Sequence, residues 1–161
     1  MGSLKHSHGP AFDEGVSQVT ATPSTRIGSR RQVDGEEYVY CYNAGGATIA
    51  QGRGVKFVTA ASGYSVAATC LTDVYSPFVG VAKNVALAAA DYGWIMTRGF
   101  ASVVVISAVT SDGLMIALQT DGKFVEASGT TVAGTATVVG HTLSCNTAAG
   151  GTVYAYFRGQ A

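Results

Sequence analysis

The sequence predicts an all-β fold, a compact β-barrel or sandwich built from two related β units and preceded by an extended N-terminal arm. Three observations carry this expectation. Short stretches rich in β-branched and aromatic residues follow one another closely, glycine-containing turns separate them, and a stretch late in the chain repeats an earlier one at a fixed offset. Many short strands joined by tight turns, with no long helical period, describe one β core.

Residues 1–32 contain Pro10, Pro23, several Ser and Thr and four glycines, with no sustained period of 2 or 3.6, and read as the arm; residues 33–161 read as the β domain. Residues 37–42 (EYVYCY) form the first strong strand, and Asn43 to Gly46 a turn. Residues 55–58 (VKFV), 94–97 (WIMT) and 153–157 (VYAYF) alternate as half-buried strands do. Asp-Gly at 112–113 and at 121–122 marks two tight connections. Residues 83–91 hold four alanines but are short and run into Gly93, so a loop or a single helical turn is expected there.

Shifting the chain by 60 residues aligns 78–99 (FVGVAKNVALAAADYGWIMTRG) with 138–159 (VVGHTLSCNTAAGGTVYAYFRG) without a gap. Identities fall at Val79/Val139, Gly80/Gly140, Ala88/Ala148, Ala89/Ala149, Arg98/Arg158 and Gly99/Gly159. An apolar strand, a small-residue connection and an alternating strand closed by Arg-Gly make one supersecondary unit used twice, over residues 37–99 and 100–159. Each alone buries too little apolar surface to stand by itself, so the two share a core.

Ten Lys+Arg balance ten Asp+Glu, and only 12% of residues are charged. This excludes the basic excess of a nucleic-acid binder and the high net charge of a disordered chain. No apolar run approaches the roughly 18 residues of a membrane helix, so no membrane partner is expected. The N-terminus lacks a secretory pattern, which points to synthesis in the cytoplasm. Residues 1–56 carry eleven charges and the remaining 105 only nine. So little charge, with zero net charge, implies that copies or partners cover part of the surface.

Catalytic motifs are missing from the string. There is neither G-x-S-x-G nor a P-loop, and Gly52-Arg-Gly54 leads to Phe57 rather than a third glycine. Cys41, Cys70 and Cys145 are odd in number and lack C-x-x-C spacing, so they read as buried thiols rather than a disulfide framework or zinc site. His6 and His8 stand alone in the arm, and His141 and Cys145 occupy positions filled by Val81 and Val85 in the other repeat, where inward-facing side chains suffice. The expectation is a protein that is not an enzyme, with no cofactor and no metal. Arg26, Arg30 and Arg31 offer donors to carboxylates or carbonyls of a partner. Tyr38, Tyr40 and Tyr42 share one strand face at period 2 and read as a subunit interface or a barrel face packed against the arm.

Residues 45–52 (GGATIAQG), 78–82 (FVGVA) leading to 92–100 (YGWIMTRGF), and 137–140 (TVVG) leading to 151–156 (GTVYAY) resemble, in phrase and order, the small β-rich decoration or cement proteins of tailed-bacteriophage heads. The similarity spans roughly residues 37–159. It implies a protein made in the host bacterial cytoplasm that binds the outer capsid surface, contacts the major capsid protein, associates with itself as a homo-oligomer, often a trimer, and bridges shell subunits without covalent bonds. At a free concentration about a hundredfold above Kd each occupied site stabilises the shell by about 2.7 kcal/mol. The alternatives are another virion component (a head fibre, tail or baseplate β module) and a carbohydrate-binding module that uses Trp94 or the tyrosine strand as its platform.

Overall fold

The computed structural model describes residues 15–58, 65–67, 78–127, 138–146 and 148–158. They form β1 (Val19–Thr20), β2 (Arg30–Val33), β3 (Glu36–Asn43), β4 (Gly54–Phe57), β5 (Ser65–Ala67), β6 (Phe78–Val81), β7 (Tyr92–Val104), β8 (Met115–Leu118), β9 (Phe124–Glu126), β10 (Val138–Thr142) and β11 (Thr152–Phe157). No α-helix occurs among the described residues, and residues 83–91 run as bends and turns.

Five strands close a ring. β3 pairs antiparallel with β7, β7 with β6, β6 with β4 and β4 with β5, and β5 returns parallel to β3 through Tyr42↔Ser65 and Asn43↔Val66. The second half repeats this order. Beyond Gly99, β7 pairs with β11, β11 with β10, β10 with β8 and β8 with β9; a parallel bridge between Val105 and Phe124 brings β9 back to the end of β7. The chain is therefore built from two related β units. Details correspond as well as the order of strands. Ile49 bridges Leu87 in the first unit and Val109 bridges Asn146 in the second. Gly80 lies against the carbonyl of Met96, and Gly140, 60 residues on, against that of Tyr156. A side chain at either glycine would enter the backbone of the neighbouring strand.

The units share a strand. β7 is 13 residues long and serves as the last strand of one unit and the first of the next. It bends at Gly99, whose φ of 133° places it where only glycine sits without strain, and where a Cβ would crowd the Glu36 side chain. The Arg-Gly that closes each repeat in sequence therefore marks a bend at 98–99, so the 99/100 division falls inside a continuous strand.

Alternation along these strands aims apolar residues inward. Val39, Cys41, Ile49, Val55, Val66, Val79, Leu87 and Ile95 fill the first ring. Val103, Val105, Val109, Ile116, Phe124, Val139, Val153 and Phe157 fill the second, in one cluster with Tyr38, Tyr40, Phe78, Trp94 and Met96 of the first unit. Phe78, Phe124 and Phe157 join the units, with ring centroids 5.4 to 6.3 Å apart. Each such buried side chain contributes about 1.5–3 kcal/mol.

The second part of the arm belongs to this body. Residues 1–14 lie outside the described residues, but β1 pairs with β7 at Val19↔Gly93, and β2 pairs along β3 from Arg30↔Val39 to Val33↔Glu36. A turn from Arg26 to Ser29, with Gly28 donating its N–H to the Tyr40 carbonyl at 2.8 Å, leads from one to the other. The cysteines divide differently from the sequence expectation. Cys41 is buried, and burial pushes its thiol up. Cys145 is exposed, because it follows β10 in a loop rather than sitting in the strand; Cys70 lies outside the described residues. His141 does not face inward either: it lies opposite Tyr156 and Met115, on the outer side of its sheet.

Candidate basic groove at the junction of the units

Around Glu37, where β2, β3 and the bend of β7 meet, the fold gathers arginines from three strands or strand ends. Arg30 and Arg31, with Gln32, Glu37, Tyr38 and Thr97, line a recess of about 230 Å³. A second recess of about 440 Å³ shares Glu37 and is lined otherwise by Arg98, Tyr156 and Arg158. Arg98 donates from Nη1 to Glu37 Oε1 at 3.2 Å and from Nε to the Tyr156 hydroxyl at 3.4 Å. Thr97 donates to the Glu37 carbonyl at 3.2 Å. Arg98 and Arg158 close the equivalent strands of the two units, and the shared β7 brings them to one place.

Arg98 pairs with the Glu37 carboxylate, and Arg30, Arg31 and Arg158 line the same two recesses, so the groove is rich in guanidinium groups. Guanidinium pairs carboxylates in two-point geometry, so the groove suits an acidic side chain or chain terminus on another protein. No group of three or more His, Cys, Asp or Glu that would hold a metal ion occurs among the described residues.

Beside the groove, Glu36 ties the bend together. Its carboxylate accepts hydrogen bonds from Lys83 Nζ, from the Tyr38 hydroxyl at 2.6 Å and from the Phe100 amide at 3.4 Å. Burial raises the Glu36 carboxyl, but the Lys83 and Tyr38 hydrogen bonds, with the Lys83 charge, outweigh it and hold the carboxyl below its ordinary value. Tyr38 is pushed up to about 12, by burial first and then by the Glu36 carboxylate.

The residues singled out in the sequence go to different places. Arg30 and Arg31 stand on β2 in the groove, whereas Arg26 is exposed in the turn before it and lines neither recess. Tyr38 and Tyr40 are buried, and Tyr42 is half-buried against Tyr92 with centroids 4.8 Å apart. The Tyr40 hydroxyl shares hydrogen bonds with Ser24 Oγ at 2.9 Å and Thr20 Oγ1 at 3.2 Å, so residues of this chain's own arm lie over it. Trp94 is 4% exposed and 5.2 Å from the Tyr40 ring. A sugar cannot stack on Tyr38, Tyr40 or Trp94 so covered, which leaves Tyr42 as the one partly open ring of the platform considered from the sequence. Arg98 and Arg158 were visible in the sequence only as a repeated Arg-Gly, and nothing local joined them to Glu37.

A similar fold occurs in a phage protein. The chain is similar in fold to the N base of the head fibre protein gp8.5 of bacteriophage phi29, with a TM-score of 0.52 and 13% identity, over 75% of this chain and 94% of that one. At that identity the likeness establishes a shared fold. No family model matches the sequence, and no curated protein matches it. The likeness spans nearly the whole length of the fibre base.

Proposed function

We propose that this protein is a non-enzymatic structural component of a bacteriophage virion, attached to the head in the manner of a head fibre base. The observation that carries the reading is the fold likeness to a head fibre base along 94% of that protein. It favours the head fibre alternative over lattice-wide decoration. The low charge and the absence of catalytic motifs agree with a role in assembly. Attachment uses the basic groove: Arg30, Arg31, Arg98 and Arg158 receive a carboxylate from the major capsid protein or a neighbouring head protein.

Quantitative mass spectrometry of density-purified particles tests this. The expected result is a copy number far below that of the major shell protein. Copies comparable to the shell protein would return the decoration reading suggested by the sequence phrases, and absence from particles would overturn the virion reading altogether.

A further inference from the structure

We infer that β2 is an open sheet edge on which an extended acidic segment of a neighbouring protein pairs as an added strand, its carboxylates meeting Arg30 and Arg31. The order of strands places β2 at one end, with β3 on one side and, among the described residues, no strand on the other. β9, at the opposite end, is held back onto the body: Val105 bridges Phe124, and Ile106 donates its N–H to the Phe124 carbonyl at 2.8 Å. Alternation decides which groups of β2 stay outward. Tyr40 donates its N–H to the Ser29 carbonyl at 2.9 Å, and the register runs from Arg30↔Val39 to Val33↔Glu36, so Arg31 and Val33 direct their backbone groups to β3. The N–H and C=O of Arg30 and Gln32 therefore point away from β3, and both residues are exposed.

The edge is fixed at both ends. Asp34 and Gly35, with φ of 50° and 82°, make the short turn that joins β2 to β3. At the other end Gly28 donates its N–H to the Tyr40 carbonyl while Ser29 accepts from the Tyr40 N–H, an extra residue that ends the regular pairing. A strand held in this way has little left to order when it takes a partner, so the ordering cost falls on the added segment. Backbone pairing supplies affinity in this mode, and side chains choose the partner.

Charge selects the occupant. Arg30, Arg31 and Gln32 of this strand line the recess of about 230 Å³. Successive side chains of a strand point to opposite faces, so each face of β2 carries a guanidinium group. Carboxylates on either face of an added strand therefore find a two-point partner. A second copy of β2 in the same place would set arginine against arginine, and like charges on paired edges repel. This mode of binding rests on the groove receiving a carboxylate, as proposed above, and adds to it backbone pairing along β2.

Titration of the isotope-labelled full chain with a short peptide of alternating Thr and Glu, blocked at both ends, tests it by nuclear magnetic resonance. Hydrogen exchange at the Arg30 and Gln32 amides is expected to slow about tenfold when about nine-tenths of the chains carry peptide, while the Arg31 amide, already paired to β3, changes little. The same peptide with Lys in place of Glu should not bind. Gln32→Pro removes one outward N–H, a change that an edge strand tolerates, and should weaken binding about tenfold with all four arginines in place. Should that variant not fold, Arg30→Glu, at an exposed position, should weaken binding at least about tenfold by reversing the charge. A Thr-Glu peptide that does not bind, equal binding by the Lys peptide, or binding that leaves both amides exchanging at their free rate would overturn the inference. The last outcome keeps the groove as a carboxylate site and removes only the added strand. Absence of the protein from particles would overturn the virion reading without changing exchange at either amide.

Discussion

Glu36 and Tyr38 hold the bend of β7 against β3 with charges and hydrogen bonds of opposite pH sensitivity. A carboxyl that binds its proton more weakly in the folded chain adds stability above the ordinary value of 4.5 and loses it as the pH falls through its lowered folded value. A phenol raised from 10.0 to about 12 adds stability below pH 10 and loses it as the pH rises toward 12. Denaturant unfolding across pH is therefore expected to show stability declining at both ends. Glu36→Gln should flatten the acid decline and cost about 1–3 kcal/mol at neutral pH, where it removes a charged acceptor from Lys83 and Tyr38; Tyr38→Phe should flatten the alkaline decline. Unchanged slopes in both variants would show that the pair does not govern the bend.

At the scale of the element, the sheets depend on strands approaching without a side chain between them. Gly80 on β6 and Gly140 on β10 face the carbonyls of Met96 and Tyr156. Gly80→Ala and Gly140→Ala should each cost about 1–3 kcal/mol, because the added methyl meets backbone that cannot turn aside. Gly46→Ala, in a turn with nothing within 4 Å of the new carbon, serves as the control and should be near neutral. Thermal unfolding of the three variants checks this; equal midpoints for all would mean that the strands separate easily at these points. The N-terminal segment is an element of the same kind, since β1 extends the pairing of β7 and Ser24 and Thr20 meet the Tyr40 hydroxyl. Removing residues 1–32 to probe attachment would also uncover Tyr40, so substitutions at Arg30 and Arg31 probe the groove more cleanly.

Over the whole molecule, a shared strand and a shared aromatic joint make two units behave as one. The single tryptophan, Trp94, reports on the first unit, while Phe157 belongs to the second and lies 5.9 Å from Phe78 across the joint. Phe157→Ala should lower stability by about 3–5 kcal/mol. The loss should register equally in Trp94 fluorescence and in far-ultraviolet circular dichroism, because neither unit keeps its core when the other opens. A tryptophan transition that stays at the wild-type midpoint would show two independently folding units. The same coupling has a functional side: the basic groove lies where the units meet, so it exists only while both are folded.

Local pattern was enough for the fold class. Strand-forming runs separated by glycine turns, and a 60-residue offset that keeps Gly80 with Gly140 and Arg98 with Arg158, are properties of neighbouring residues and of a repeated string. Period 2 also placed Tyr38, Tyr40 and Tyr42 on one side of a strand. What lies over that side is decided by residues far away along the chain. The arm came to rest on Tyr40, Phe100 and Tyr154 stay partly exposed, and Gly99 became a bend rather than an end. Arg98 and Arg158 likewise come together beside Glu37 only because β7 is shared, and Arg30 and Arg31 because β2 pairs with β3. Side-chain alternation is a local consequence of backbone geometry, whereas burial and charge clustering arise from contacts between distant segments; the first was determined by the sequence alone, and the second by the tertiary structure.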